Sequence, residues 1–273
     1  MYKLLLCSEE DQASVNIRDS LIASAEWEDD GEFLYHDNFA MMTIPDIHIF
    51  AECIDNSAKK SGIDASEIIF LSRHKAASRI PTLTVHPIGN FNKAEFGGRD
   101  RTLVKASPAT MTGLLRSLSA KDQKHFQVSF EVTHHGPFVS IPATFIEIGS
   151  DESQWSDKHA ARMIADSILE MEKNDHETAV GIGGGHYAPR FTEVAIGYKV
   201  NFGHMIPEYA FKDADEGGLV RMISDSAEKS GTKLVYVHRN SMKGDVQKRV
   251  MCAIDACGLE RISSADLDAV SEN

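Results

Sequence analysis

Short apolar runs alternate with longer amphipathic stretches along most of this chain. The runs that have the length and apolar character of buried strands are KLLLC, EIIFLSRH, TLTVH, QVSFEVTHH, TFIEIGS, TAVGIGG, KVNFGH and KLVYVHR. Helices are predicted near residues 10–24, 47–61, 107–120, 155–173, 215–230 and 243–257. Such alternation predicts a layered α/β protein with a mixed, mainly parallel sheet.

Composition adds few constraints beyond a globular protein. The chain has 273 residues, of which 42% are hydrophobic and 25% are charged, and it contains no repeat or Pro/Gly/Ser-rich linker. We therefore predict one domain over residues 1–273. No apolar run reaches the ~18 residues of a membrane helix, and MYKLLLCSEEDQ is better interpreted as a first strand than as a signal peptide. A cytoplasmic protein is the expectation. The four scattered cysteines form no Cys-x-x-Cys pair.

The charge is strongly acidic but unevenly distributed. A net charge of −13 argues against non-specific nucleic-acid binding. Residues 73–105 depart from this average, because this segment contains seven basic residues and only two acidic ones, Glu95 and Asp100. The seven are Arg73, Lys75, Arg79, Lys93, Arg99, Arg101 and Lys105. This segment is either a solvated face or a patch that contacts phosphates.

Histidines follow the predicted strands with unusual frequency. Of the twelve in the chain, seven occupy such positions: His74, His86, His134, His135, His186, His204 and His238. Glu147 lies similarly near the end of TFIEIGS. Ligands of open α/β sheets bind beyond the carboxyl ends of the strands. Parallel neighbours would therefore gather these side chains into one cleft, where imidazole serves as a metal ligand or a proton carrier.

The segment EVTHHGPF is the densest of these clusters. His134 and His135 would point to opposite sides of a regular strand, unless the chain turns at Gly136-Pro137. Glu131 would also point away from His134 in an extended strand. Zinc takes three or four N, O or S ligands, so histidine and glutamate are the available donors. Candidate metal ligands are His134, His135, Glu131 and Glu147.

The glycine-rich segment GIGGGHYAPR excludes two common phosphate-binding motifs. A P-loop needs a Lys-Ser or Lys-Thr after its last glycine, and a dinucleotide fingerprint needs a third glycine where His186 stands. We also expect Pro189 to break a helix that would begin in this loop. The loop Gly183–Gly185 either exposes backbone N–H groups to a substrate or an oxyanion, or it marks a tight crossing of two backbones.

The sequence contains no G-x-S-x-G nucleophile elbow and no cysteine with a recognisable base. The simpler chemistry is therefore attack by water, activated by histidine or by a metal ion that histidine holds.

Several motifs in register resemble the archaeal and plant type of D-aminoacyl-tRNA deacylase. They are LSRH (71–74), LTVHPIGN (83–90), EVTHHGP (131–137), FIEIGS (145–150), GGGHYAPRF (183–191) and GHMIPEY (203–209). The resemblance implies hydrolysis of the ester that joins a D-amino acid to the 3′ ribose of tRNA, with zinc as cofactor. It also implies a three-layer α/β/α fold similar to those of peptidyl-tRNA hydrolases and nucleoside phosphorylases.

The residues and the resemblance together predict a site. The candidates for direct action on the substrate are His186, His74, His86 and His204, with His186 the first choice. The candidates for substrate binding are Gly183, Gly184, Gly185, Tyr187, Arg99 and Arg101, the two arginines meeting tRNA phosphates. D-aminoacyl-tRNA is the expected partner, with no membrane, no obligate protein partner and a monomeric chain.

Two alternatives stay open, the first on the same residues and the second on the fold analogy alone. One is a metal-dependent hydrolase of small amino-acid derivatives or peptides that uses no nucleic acid. The other is a phosphorylase-like nucleoside enzyme, which would require phosphate as a co-substrate.

Overall fold

The computed structural model describes residues 1–121, 125–172, 174–211 and 214–270. The helices in these ranges are Gln12–Ser24 (α1), Ile54–Lys60 (α2), Pro108–Lys121 (α3), Glu152–Trp155 (α4), Lys158–Glu170 (α5), Pro189–Gly197 (α6), Glu216–Ser230 (α7) and Gly244–Ala256 (α8). The strands are Tyr2–Ser8 (β1), Glu28–Asp29 (β2), Leu34–His36 (β3), Phe39–Ile44 (β4), Ala65–Arg73 (β5), Thr82–Pro87 (β6), Gly89–Asn90 (β7), Thr102–Leu103 (β8), Gln127–Phe130 (β9), Ala143–Gly149 (β10), Thr178–Ile182 (β11), Asn201–Ile206 (β12), Leu234–Val237 (β13) and Glu260–Ile262 (β14).

The larger sheet is mixed and has a parallel centre. Its strand order is β2-β3-β4-β1-β5-β10-β6-β9. Strands β4, β1, β5 and β10 run parallel to one another. Strand β6 pairs antiparallel with β10, and β9 follows β6 in parallel, so the last two strands run against the central four. This reversal decides where the histidine of β6 lies.

A second, smaller sheet contains only parallel pairs. Its order is β12-β11-β13-β14. The two sheets share a core, because one cluster of buried apolar residues contains Ile146 of β10 together with Phe202 of β12. On its far side, Val180 and Ile182 of β11 pack in a separate cluster with apolar residues of α7 and α8.

Both faces of the larger sheet are covered, which explains its nearly continuous apolar strands. On β1, Leu5 and Cys7 pack with the helices α1, α3 and α5. The alternate residues, Leu4 and Leu6, pack on the opposite face with Ala58 of α2. The prediction of a layered, mixed and mainly parallel α/β fold is confirmed. None of the helices in the described ranges has the length and apolarity needed to cross a bilayer.

Several element predictions need correction. The helix predicted over 47–61 is a 3-10 turn at His48–Phe50 followed by α2, which begins only at Ile54. The helix predicted over 155–173 is interrupted between α4 and α5, and its last residue lies outside the described residues. Pro189 opens α6 instead of breaking a helix, because its missing N–H would be unpaired in a first turn anyway.

The segment that follows β9 joins the two sheets. Glu131 N–H donates to the Val85 carbonyl oxygen of the larger sheet at 3.0 Å. The next two amides reach the other way, Val132 N–H to the His186 carbonyl and Thr133 N–H to the Met205 carbonyl, each at 3.0 Å. The histidines of this segment are therefore held at the junction of the two sheets.

Candidate active site

Five histidines and two glutamates converge at this junction. They are His74, His86, His134, His135, His186, Glu131 and Glu147, and we call them the histidine–glutamate cluster. Two come from β6 and β10, one follows β5, three belong to the segment after β9, and one follows β11. The expected gathering of these side chains is therefore present. It does not arise from parallel carboxyl ends alone, since His86 lies within a strand that runs against β10.

The two carboxylates lie at the centre of the cluster and are buried. Glu131 Oε2 lies 2.9 Å from His186 Nε2 and 3.4 Å from His134 Nε2. Glu131 Oε1 lies 3.2 Å from His74 Nδ1. Glu147 Oε2 lies 3.5 Å from His74 Nδ1 and 3.7 Å from His86 Nε2. Among the described residues, the basic side chains within ion-pairing distance of these two carboxylates are all histidines.

Backbone carbonyls fix the tautomer of three of these rings. Nδ1 of His86 lies 3.1 Å from the Pro87 carbonyl oxygen. The corresponding distances are 2.8 Å from His134 to the Val132 carbonyl and 2.7 Å from His135 to the Gly136 carbonyl. A carbonyl only accepts, so Nδ1 of each ring must donate. When the ring is neutral, its Nε2 therefore carries the lone pair, as in metal-binding histidines whose other nitrogen is hydrogen-bonded.

The chain turns sharply between the adjacent histidines. His135 has a φ of 41°, in the left-handed region that residues other than glycine seldom adopt. The predicted alternation is therefore broken, and the rings of His134 and His135 lie with centroids 4.4 Å apart. Glu131 also faces His134, contrary to the extended-strand expectation, because β9 ends at Phe130.

The protonation equilibria of the cluster are strongly perturbed. Burial lowers the pKa of His135 to about 4, helped by the nearby His86. Burial likewise lowers the pKa of His134 well below its usual value. Burial also lowers the pKa of His74, but its hydrogen bond to Glu147 and the charge of Glu131 outweigh this effect and raise the pKa to about 9. Burial also lowers the pKa of His86, but its interaction with Glu147 outweighs this effect and raises the pKa above its usual value. The cluster thus combines two imidazoles of lowered pKa with two whose pKa is raised.

A cavity of about 410 Å³ opens onto the cluster. His74, His134, His135, His186 and Glu147 line it, whereas the fully buried His86 does not. His186 is the most accessible of them, with 38% of its side chain exposed. Tyr187 follows it, and its hydroxyl lies 3.0 Å from His74 Nε2. His186 is therefore placed where a substrate in the cavity can meet it. Tyr187 contacts the cluster through His74 but does not line the cavity, so its contact with a substrate stays a prediction.

His204 is not brought into the cluster. Its Nε2 lies 2.8 Å from the Val104 carbonyl oxygen, so this nitrogen donates. Its Nδ1 lies 3.0 Å from the Thr133 hydroxyl, which itself accepts the Met205 N–H and so donates to the ring. Burial lowers the pKa of His204 to about 4. Both nitrogens are occupied in a fully buried ring, which is a structural arrangement and not that of a residue that meets a substrate.

The two predicted roles of the glycine loop, a tight backbone crossing and an open backbone, belong to different glycines. Gly183 N–H donates to the Ile206 carbonyl at 2.8 Å, and Gly184 N–H donates to Ser241 Oγ at 2.8 Å. A Cβ on Gly183 would lie 2.7 Å from Ser241 Oγ, so a tight crossing explains this glycine. A Cβ on Gly185 would meet nothing within 4 Å. Only Gly185 therefore offers open backbone to a substrate.

The two arginines predicted to meet tRNA lie outside the cavity. The Arg99 guanidinium lies 3.8 Å from the ring centroid of Phe138, and its Nε lies 3.8 Å from Glu52 Oε2. Arg101 lines a separate cavity of about 680 Å³ that also contains Arg221 of α7. Their contact with tRNA stays a prediction, and it would involve parts of the tRNA beyond the reacting end.

Several residues of the cavity wall were not predicted, and three of them are polar, charged or aromatic side chains of note. Asp11 and His48 line it, with Asp11 Oδ2 3.8 Å from His48 Nε2, and so does the exposed Phe96. Of these three, only His48 could have been a candidate from the sequence, because histidine is a common functional residue. It lies in a region without clear periodicity, so its position could not be predicted. Asp11 was predicted only as part of a helix, because nothing local indicates its contact with the His48 loop.

The cluster has the donors that a metal ion requires. Atoms of His86, His134 and His135 lie within 4.8 Å of one another, as do those of His74, Glu131 and His186. Both oxygens of Glu131 and Nε2 of His86 are buried without an aligned hydrogen bond from the described residues. Two ligands at about 2.1 Å from one ion in tetrahedral geometry lie roughly 3.4 Å apart. Unaligned contacts of 2.9 to 3.4 Å around Glu131 Oε2 therefore fit atoms that would point at a shared ion.

An α/β fold with buried carboxylates and imidazoles beside an open cavity has the groups that a hydrolase uses to activate water. The family model of the D-aminoacyl-tRNA deacylases matches residues 61–262 of this chain. The chain belongs to this family, and the resemblance drawn from its motifs is confirmed.

Individual relatives agree over nearly the whole length. The D-aminoacyl-tRNA deacylase of Archaeoglobus fulgidus is 38% identical over 272 residues, which cover 96% of each chain. That of Thermoplasma acidophilum is 35% identical over 264 residues, which cover 95% of this chain and 99% of the relative. A crystal structure of a conserved protein of unknown function superposes with a TM-score of 0.88 at 37% identity, covering 98% of this chain and 99% of that one. The expected likeness to peptidyl-tRNA hydrolases and nucleoside phosphorylases stays an expectation.

Proposed function

We propose that this protein hydrolyses the ester between a D-amino acid and the 3′-terminal ribose of tRNA. The observation that carries the proposal is the histidine–glutamate cluster, because it combines buried carboxylates and oriented imidazoles beside a cavity. Its family membership supplies the substrate class. An ester is an activated bond, so an activated water suffices without a covalent intermediate.

Zinc is the cofactor we propose for this site. His86, His134 and His135 would hold it through Nε2, because their ligand atoms lie within 4.8 Å of one another. The oxygens of Glu131, which are buried without aligned partners, lie beside this set, with Oε2 3.4 Å from His134 Nε2. When bound, zinc lowers the pKa of a coordinated water and polarises a carbonyl. Glu147, which contacts both His74 and His86, would orient these two rings.

The accessible residues would handle substrate and protons. His186 lies against Glu131 and is exposed to the cavity, so it is placed to exchange a proton with water or with the leaving ribose oxygen. His74 keeps its proton through Glu147 and Glu131, and its Nε2 would orient the Tyr187 hydroxyl. Gly185 would present open backbone to the aminoacyl group.

The proposal is tested by deacylation of D-tyrosyl-tRNA and L-tyrosyl-tRNA, before and after chelation and with zinc added back. We expect selective loss of the D ester, abolished by the chelator and restored by zinc. D-selective hydrolysis that persists after chelation would support the proposed function and contradict the proposed role of the metal. Equal or absent cleavage of the two esters would contradict the function.

A hydrolase of small amino-acid derivatives is the other candidate that the same cluster supports. It predicts that D-tyrosine methyl ester is cleaved as efficiently as D-tyrosyl-tRNA. A cytoplasmic location and a monomeric state stay predictions.

A further inference from the structure

An aromatic side chain stands exposed in the wall of the catalytic cavity. Phe96 lines this cavity together with His134, His135 and His186, yet its side chain is 62% exposed. Single exposed apolar residues are common on protein surfaces. This one differs because its exposed ring borders the histidine–glutamate cluster, so it lies at the rim of the cavity.

The backbone around Phe96 is fixed to the catalytic segment. Its carbonyl accepts the N–H of Gly136, next to His135, at 2.9 Å. Glu52 Oε1 accepts the N–H of Gly98 at 2.8 Å and that of Phe138 at 2.9 Å, which joins the loop to the same segment a second time. The backbone that carries the ring is thus held in place relative to His135, which preorganises the position of Phe96 at the rim.

The next residue fixes the loop from the other side. Gly97 has a φ of 67°, and a Cβ there would lie 1.9 Å from the carbonyl oxygen of Ile49. Only glycine permits this approach. The backbone of the Phe96 loop therefore packs directly on the 3-10 turn that carries Ile49, which also lines the cavity.

The cavity has two chemically different parts beside the cluster. Ile47, Ile49 and Phe96 contribute apolar side chains. Arg73 and Lys75 contribute positive charge, and the exposed Lys75 lies directly after His74. An aromatic surface and a cation beside a reacting centre suit a nucleoside that carries a phosphate.

We propose that the adenine at the 3′ end of tRNA stacks on Phe96 and that Lys75 contacts the phosphate of that nucleotide. This inference rests on the proposed function. The amino acid is the terminus of the substrate and can be enclosed, whereas the nucleotide must leave the cavity toward the rest of the tRNA. A ring at the rim therefore meets the base, and the interior receives the amino acid.

The inference is tested with two small esters that differ only in the base. One is the D-tyrosyl ester of adenosine, and the other is the D-tyrosyl ester of methyl ribofuranoside. We expect the wild-type protein to cleave the adenosine ester with a kcat/KM about tenfold higher, as one stacked base contributes. Phe96→Leu retains apolar volume without a flat ring, and it should remove most of this preference. Phe96→Tyr should retain it.

Matched controls separate stacking from general damage. Phe50→Ala removes a neighbouring exposed phenylalanine that does not line the cavity, so it should leave the preference unchanged. Lys75→Ala should lower the salt dependence of D-tyrosyl-tRNA cleavage, and it should reduce cleavage of that substrate more than cleavage of the adenosine ester, which has no phosphate.

The possible failures are distinguishable. If the wild-type protein cleaves D-tyrosyl-tRNA but shows no preference for the adenosine ester, or keeps that preference in Phe96→Leu, the stacking is wrong and the function stands. If Phe96→Leu impairs D-tyrosyl-adenosine but not D-alanyl-adenosine, the ring contacts the amino-acid side chain and the inference is overturned. If the wild-type protein cleaves no D-aminoacyl ester, the proposed function fails first.

Discussion

Hydrogen bonds to single carbonyl groups determine which ring nitrogen is available in four histidines of this protein. The rings of His86, His134 and His135 donate through Nδ1 to nearby backbone carbonyls, which leaves Nε2 as the nitrogen that carries the lone pair when the ring is neutral. The ring of His204 is saturated at both nitrogens and is buried apart from the cluster. Residue type is therefore insufficient to assign a role, because the same imidazole is a donor, a ligand or a packed core group depending on its neighbours.

His204 makes stability depend on pH in acid. Its pKa is 6.5 in the unfolded chain, and burial lowers the pKa to about 4 in the folded chain. Between these two pH values the unfolded chain therefore binds a proton at His204 that the folded chain does not bind. Stability is unaffected above pH 6.5, and it is lost as the pH falls toward 4, by roughly 3 kcal/mol for this group. His204→Gln should flatten this part of the pH dependence.

Urea unfolding at pH 7.5, 6.0 and 5.0 measures that effect, with the exposed His159→Gln as control. If His204→Gln leaves the slope of unfolding free energy against pH unchanged, the buried neutral assignment is wrong.

At the scale of elements, short segments between strands and helices build the site. The segment after β9 leaves the regular strand at Phe130 and turns at His135, so that residues of one continuous sequence face the same cavity. The glycine loop after β11 combines a packed crossing at Gly183 with open backbone at Gly185.

Two alanine substitutions separate these roles of the glycine loop. Gly183→Ala must adopt a φ of 107° and place a Cβ 2.7 Å from Ser241 Oγ, so we expect a loss of about 2 kcal/mol in unfolding free energy. Gly185→Ala has free space and should keep wild-type stability. Its deacylation kcat/KM should nevertheless fall, because a methyl group would occupy the surface against which the substrate lies.

Urea unfolding measures the stability of both variants, and deacylation rates measure their kcat/KM against that of the wild-type protein. A fully active Gly185→Ala would remove the loop from substrate binding, and a stable Gly183→Ala would contradict the close crossing.

At the scale of the whole molecule, the cluster lies between two sheets. Glu131 Oε1 contacts His74 at the end of β5, and its Oε2 contacts His186, which follows β11 of the smaller sheet. An ion held in this cluster would bind the folded chain only, because its ligands come from separate segments of the chain, so it would stabilise the fold according to its occupancy.

Chelation should therefore lower the melting temperature. Zinc at 100 times its Kd would contribute about 2.7 kcal/mol, which corresponds to roughly 5 °C for a chain of this size. Calorimetry with and without zinc measures the shift, and Glu131→Gln should abolish most of it. Equal melting temperatures of the two wild-type samples would argue against an ion at the junction.

Much of the site was accessible to sequence reasoning because its residues stand next to strands. His74, His134, His135, His186, Glu131 and Glu147 were all predicted to gather, and the structure brings them together. His204 was assigned with them wrongly, since its position in β12 gave the same pattern although the ring packs against Val104 and Thr133. Phe96, Asp11 and His48 could not be found, because loops that are distant in sequence bring them to the cavity wall.

By itself the sequence determined the layered α/β class and the family, because both depend on periodicity and on motifs that are local in the chain. The tertiary structure decided that the described strands divide into two larger sheets and the two-stranded sheet β7-β8, that β6 runs against β10, and which histidines meet. The reason is physical. A local pattern fixes the direction of a side chain within its own element, whereas its distance from another element depends on how the two pack.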